Sequence, residues 1–356
     1  MYGLVATLML SLSVDYAPVV VWQRQVGEVR RIEARGNDLL LLTANGYEVR
    51  DAASGERLGS IDNVYQGRLS SGRLLVVRGT YFEPEAIEAW QLRPFQLEWR
   101  FPIDERAGVG DIVGNSLYYG TRTSAIRMSI PDFQELDRRD LRPYEVPIKP
   151  IVFGSTVYFN YAGHEVYGLN ADDLSQGWKN YSDCEPAVVD QFGCVATARL
   201  MWGLAIIGLD GKSRDLERVA RGGYTFSRNR PAVNPDQVIT SGSAYVWERD
   251  RENNFVIKVL SPYLLAFDRK DGSLDWKIPM IASWPVLTGD RILVFGANSP
   301  RGEKEWKLQV RAAADGALLW QSDRLAYEPS WSLTTNGNYA FEYAGGSLSA
   351  LKLPGR

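Results

Sequence analysis

Ala266-Phe267-Asp268-Arg269-Lys270-Asp271-Gly272-Ser273-Leu274-Asp275-Trp276 is the stretch that decides the fold. An apolar strand end runs into Asp268, a turn closes at Gly272, and a second strand carries Trp276 eight residues after Asp268. Asp can bond its own backbone two residues on, and Gly takes positive φ without a Cβ clash, so the pair suits a tight hairpin turn. The spacing returns along the chain. Ala312, Gly316 and Trp320 keep it; Asp51 and Gly55 keep it with Gly59 in the Trp place. Asn170 leads to Trp178 and Gln91 to Trp99, with Leu174 and Phe95 in the Gly place. Ser129 and Asp137 mark a weaker copy, and Asp210 and Lys352 open two incomplete ones. The openings fall at 51, 91, 129, 170, 210, 268, 312 and 352, at intervals of 40, 38, 41, 40, 58, 44 and 40. A period near 40 predicts a repeat architecture.

Within each unit, turn residues such as Gly36-Asn37-Asp38, Gly72-Arg73, Gly114-Asn115 and Gly289-Asp290 precede an alternating or apolar run. Each unit therefore reads as four short strands, in the seventh at 285–288, 291–295, 306–312 and 317–321. Val19-Val20-Val21-Trp22 is a closing strand with no repeat before it, and residues 333–352 form a repeat lacking its closing strand. Joined, they complete one unit and remove the open edge of a ring. The expectation is an all-β, eight-bladed β-propeller of four-stranded antiparallel blades, closed by pairing the N-terminal strand with the C-terminal blade. The long interval before Asp268 predicts a lengthened hairpin in the sixth blade around 247–254, with further insertion at 218–230. A smaller extension is expected at 297–305 in the seventh blade.

The 356 residues are 45% hydrophobic and 12% aromatic, with 33 Gly and 17 Pro, as many short strands joined by turns require. Residues 18–356 are read as a single propeller domain, expected to be a monomer. A net charge of −3 argues against general nucleic-acid binding. Residues 1–17 are read as a signal peptide or N-terminal tail. The apolar run at 4–12 is too short for a transmembrane span, no Lys or Arg precedes it, and Asp15-Tyr16-Ala17 before Pro18 is a poor cleavage site. Export to the periplasm or cell envelope follows from this reading, and with it a disulfide between Cys184 and Cys194.

Little in the chain points to catalysis. The single histidine, His164, falls in a turn, and one His without a Cys cluster makes no zinc site. Asp172-Asp173 reads as a pair of solvated turn residues. No nucleophile-elbow, phosphate-cradling or dinucleotide motif occurs. No catalytic residue, metal or cofactor is therefore assigned. Arg218, Arg221, Arg228 and Arg230 cluster around Tyr224 and Phe226, a pattern that serves an anion or a stacked base as readily as an exposed loop. Trp247, Glu248, Arg249, Asp250 and Arg251, at the tip of the long hairpin, form the candidate partner-binding site, because loops carry function more often than blade cores.

Ala-x-Asp-x-x-x-Gly-x-x-x-Trp on this period resembles the repeat of PQQ-like (quinoprotein-like) propellers, over about residues 18–356. WD40 and kelch propellers fit less well, since no recurrent Trp-Asp pair or double-Gly signature appears. The resemblance implies that Trp22, Trp99, Trp178, Trp276 and Trp320 pack between neighbouring blades. It implies one of two jobs. One is that of a quinone-dependent dehydrogenase, usually a larger chain, often with adjacent cysteines over the cofactor and a calcium beside it. The other is that of a BamB-like, non-enzymatic scaffold of the cell envelope, associated with outer-membrane protein assembly. Length and the ten-residue separation of Cys184 and Cys194 favour the scaffold, with other envelope proteins as partners, although the lipid-anchor cysteine of BamB is missing. A PQQ-binding quinoprotein, dehydrogenase or sensor, and an anion- or nucleotide-binding propeller stand as alternatives.

Overall fold

The computed structural model describes residues 16–130, 132–142, 147–161, 165–181, 184–198, 204–214, 222–226, 231–249, 252, 255–297, 305–323 and 332–353. These form eight antiparallel sheets in a ring, an eight-bladed β-propeller. Blade 1 shows the plan: Val29–Arg35, Asp38–Thr43, Gly46–Asp51 and Arg57–Asp62, hydrogen-bonded in chain order from the axis outward. These positions are called strands A to D. The A–B and C–D turns open on one face of the ring, termed the turn face. The B–C loops and blade-to-blade connections open on the other, the loop face. In blades 6 and 7 strand A is split in two, Gly222–Phe226 with Ala232–Val233 and Ile281–Ala282 with Val286–Thr288.

Blade 8 joins the chain's two ends. Ser332–Thr335, Ala340–Ala344 and Ser347–Lys352 supply strands A to C, and Val19–Gln25 supplies strand D. Val20 lies opposite Leu351 and Trp22 opposite Ala350, with a bulge between them. The lengthened hairpin of blade 6 is Gln237–Arg249 with Phe255–Asp268, at 13 and 14 residues against 6 and 6 for strands B and C of blade 1. At about 3.4 Å per residue the excess adds roughly 25 Å on the loop face. Gly222–Phe226 runs alongside and braces it, Gly222 opposite Val246 and Phe226 opposite Gly242.

The buried residues do not pool at the centre. They divide into clusters that each fill the seam between two neighbouring blades. Trp22, Phe341 and Leu348 of blade 8 meet Ile32, Leu39 and Leu41 of blade 1. Leu293, Phe295 and Val310 of blade 7 meet Leu333, Ala340 and Leu351 of blade 8. A sheet buried on both faces needs apolar side chains of both parities, which is why central strands such as Leu74–Val77 read as continuous apolar runs.

The repeat motif builds these seams. Asp51 Oδ1 accepts the N–H groups of Ala53 and Ser54 at 3.0 and 2.9 Å, and Asp268 Oδ1 those of Lys270 and Asp271 at 2.7 and 3.1 Å. The turn Gly sits at φ +72° at Gly55 and +71° at Gly316, and it receives the Trp ring of the preceding blade. A Cβ on Gly55 would lie 2.7 Å from the Trp22 ring, and one on Gly316 3.0 Å from that of Trp276. Each indole N–H then donates across the seam, Trp22 to Ala52 O at 3.1 Å and Trp276 to Ala313 O at 3.0 Å. Trp178 lies over Gly211 in the same way. Trp320 packs among Leu333, Leu351 and Leu353.

Three seams vary the scheme. Between blades 1 and 2 the partners are exchanged: Gly59 stands in the Trp place, Phe95 in the Gly place, and a Cβ on Gly59 would fall 2.1 Å from the Phe95 ring. Between blades 3 and 4 no Trp is present, and Tyr118 Oη donates instead to Ala171 O at 2.8 Å. Between blades 2 and 3, Trp99 meets the Phe133 ring edge-on at 5.6 Å, and its indole N–H has no acceptor among the described residues.

The blade 7–8 seam also holds a carboxyl. Glu342 lies between Leu333 and Ser349 in register, and no cation bonds it among the described residues. Burial pushes its pKa up from 4.5. The charged form is therefore less favourable in the folded chain than in the unfolded one. That destabilisation is present above the raised pKa and fades as pH falls toward 4.5. Glu342→Gln is expected to raise Tm at pH 7, with the gain disappearing in melts recorded below pH 4.5.

Candidate interaction surfaces

At the axis, the inner strands are tied to one another by polar side chains. Ala34 N donates to Thr334 Oγ1 at 3.2 Å, linking blades 1 and 8. Ile112 N donates to Ser70 Oγ at 2.9 Å, linking blades 3 and 2. The centre of this arrangement is Asp111, on strand A of blade 3 (Gly108–Val113), with its side chain only 4% exposed. Its carboxylate accepts from Arg68 Nη2 at 3.1 Å and Ser70 Oγ at 3.2 Å in blade 2, and from Val152 N at 2.9 Å in blade 4. It also accepts from Arg35 Nη1 of blade 1 at 3.3 Å. Blades 1 and 3 are not neighbours, so that last contact reaches past the inner strand of blade 2, where Arg35 Nη1 also donates to Leu69 O at 2.6 Å.

The turn face carries an apolar arc beside this cluster. Val113, Phe153 and Phe192, 46%, 40% and 44% exposed, stand at the A–B turns of blades 3, 4 and 5. Phe192 rests on the Arg269 guanidinium, 5.1 Å from its ring centroid, and that guanidinium is held by both oxygens of Asp190 at 2.6 and 2.5 Å. The loop face carries a different cluster. Arg106 stacks over Tyr81 at 4.5 Å and Phe82 at 4.9 Å, and a cavity of about 360 Å³ opens beside them, lined in part by Asp104, Glu105 and Arg122. Both charge signs meet there, so the cavity favours no ligand charge.

Of the residues singled out from sequence, Trp247, Glu248 and Arg249 lie on the long hairpin, opposite Ile257, Val256 and Phe255. Glu248 and Arg249 are exposed. Asp250, Arg251, His164, Arg218, Arg221, Arg228 and Arg230 lie outside the described residues. The expected disulfide needs correction. Cys184 and Cys194 sit on paired strands, but Cys184 lies opposite Ala198 and Cys194 opposite Val189. Four residues of strand separate the two levels, roughly 13 Å, whereas a disulfide bridges Cα atoms less than about 7 Å apart. Sequence reading missed the Asp111 cluster and the apolar arc. The arc had a signal, since 113, 153 and 192 recur at the repeat period.

Among the described residues, no three His, Cys, Asp or Glu side chains gather as a metal site, and no helix is long and apolar enough to cross a membrane. No protein-family model matches the chain, and no curated protein does. Solved structures do. Quinohemoprotein alcohol dehydrogenase ADHIIG from Pseudomonas putida HK5 superposes with a TM-score of 0.55 at 12% identity, over 95% of this chain and 76% of that one. The computationally designed Ika8 protein gives 0.52 at 11%, over 95% and 99%. BamB from Moraxella catarrhalis gives 0.42 at 11%, over 95% and 100%, a weak likeness even of fold. A dehydrogenase and a designed protein matching one chain about equally well illustrates how little a fold says about activity. What the first two likenesses support is the propeller fold alone.

Proposed function

We propose that this chain is a non-enzymatic, extracytoplasmic interaction scaffold that docks extended segments of other envelope proteins, and that it works as a monomer. The observation that carries the reading is the outer edge of blade 8. Val19, Val20 and Val21 are 60%, 56% and 42% exposed on a strand whose far edge no described strand covers. Unpaired edges invite added strands, and proteins commonly guard them with charge. The other outer strands follow that rule, with Glu98 and Arg100 in blade 2, five charged residues of six in blade 3 (Glu135–Asp140), and Asp275 and Lys277 in blade 6. Leu318–Gln321 in blade 7 is uncharged, but its side chains are half covered. Arg24, exposed farther along the blade 8 edge, favours a segment with an acidic residue after its apolar ones. The blade 6 hairpin, with Trp247, Glu248 and Arg249 near its tip, is proposed as a second contact on the loop face. The apolar run before residue 17 supports an envelope location.

A photo-crosslinking residue at position 20 tests the reading in intact envelopes. A discrete crosslinked product is expected, reduced at least tenfold by Val19→Lys with Val21→Lys, while Tm stays within a few degrees. Crosslinking indifferent to the lysines would sink the edge reading. Stoichiometric uptake of quinone with calcium and dye reduction on turnover would replace it with the quinoprotein alternative.

A further inference from the structure

The turn face offers a second surface, independent of the blade 8 edge. Its apolar arc is a built feature. Phe192 is supported by a buried, doubly bonded guanidinium, Arg269 with Asp190, so its ring is held outward rather than left to fold back. Phe153 follows directly after Val152, whose N–H is tied to Asp111. Three consecutive blades thus display one large apolar side chain each, next to the axis. Exposed apolar side chains repeated at the same turn of three neighbouring blades suit a contact surface.

The charges around the arc identify what fits. Asp132, Asp173, Asp271 and Asp315 occupy the same position of the C–D turn in blades 3, 4, 6 and 7, and all four are exposed. Each accepts a backbone N–H two residues on, from Gln134, Ser175, Ser273 and Ala317. Hydrogen bonds within the turns, from Ser129, Ser175 and Ser273 foremost, hold Asp132, Asp173 and Asp271 below the usual aspartate range, so they stay anionic at any ordinary pH. Asp236 adds to the rim; Asp210 and Asp290 are offset by Lys212 at 4.0 Å and Arg291 at 3.7 Å, and Arg214 and Lys270 are exposed cations of the same face. An acidic rim repels anionic lipid and nucleic acid. It also repels a second copy of itself in a two-fold dimer, where like patches meet. It attracts a cationic protein segment.

We infer that the turn face of blades 3 to 7 docks a basic, amphipathic segment of a partner protein, whose apolar side chains cover Val113, Phe153 and Phe192 while its Lys or Arg residues meet the aspartate rim. The probe is a fluorescein-labelled twelve-residue peptide alternating Lys with Leu and Phe, followed by anisotropy at 50 and 300 mM salt. Saturable binding that weakens with salt is expected. Phe153→Ser with Phe192→Ser should lower affinity at least tenfold without moving Tm. Asp132→Asn, Asp173→Asn and Asp315→Asn together should lower affinity and flatten the salt dependence, since Asn keeps the turn acceptor. Val19→Lys with Val21→Lys should bind as the native chain does, which separates this surface from the edge strand. Four results would each overturn the proposal: no binding of the basic peptide, equal binding of a Glu-for-Lys peptide, native-like binding by the Phe variants, or native protein floating with anionic vesicles. So would a concentration-dependent dimer abolished by the Phe substitutions, which would assign the face to a second copy.

Discussion

Asp111→Ala is expected to destabilise the ring by about 3 kcal/mol, because losing one partner of a buried ion pair leaves the other uncompensated. Arg68 is the residue most affected, with its side chain 22% exposed and its Nε already without an acceptor. Arg35, half exposed, can turn toward water and softens the loss. Val152 N–H and Ser70 Oγ lose an acceptor as well. Asp111→Asn keeps an oxygen acceptor but not the charge, and should cost about half as much. Urea unfolding of the three proteins at pH 7 measures the order. An alanine variant within 1 kcal/mol of native would mean that the axial cluster is solvated and the four inner strands do not depend on it.

Trp22→Ala should have the larger effect, about 3–5 kcal/mol for a buried Trp. The indole fills the seam between the last blade and the first, and its N–H is bonded to Ala52 O. It also sits on the strand that completes blade 8, so the loss falls on ring closure. Amide exchange should accelerate first in Val19–Gln25 and Ser347–Lys352, before blades 3 and 4 respond. Trp22→Phe keeps most of the ring and loses the donor, and should fall between the two. Uniform acceleration across all blades would show that the latch does not open separately from the rest.

Much of this architecture could be read in advance because its signals are local. The Asx turn, the positive-φ glycine and the strand after it lie within nine residues, so each repeat announces itself. Closure was legible because Val19-Trp22 and residues 333–352 each lacked what the other had, and the register now pairs Trp22 with Ala350. The Asp111 cluster was not legible. Arg35, Arg68, Asp111 and Val152 are 33 to 117 residues apart, and nothing local tells that four inner strands meet at one carboxylate. The cysteine pairing failed for a nearer reason. Ten residues suggested proximity, but the hairpin turns at Gln191-Phe192, with Asp190 opposite Gly193, so residue 184 meets 198 rather than 194.

The exchange of Gly59 and Phe95 bears on how such a chain can be rearranged. The seams at Gly55, Gly211 and Gly316 take a ring from the earlier module and a gap from the later one; here the two are reversed. Splicing the second module behind the sixth would drive Trp276 and Phe95 into one slot. Splicing the seventh behind the first would leave Gly59 facing Gly316 across a void. The modules look alike in sequence but are keyed to their places, so permuting their order would fail where merely shifting the chain's start point around the circle would not.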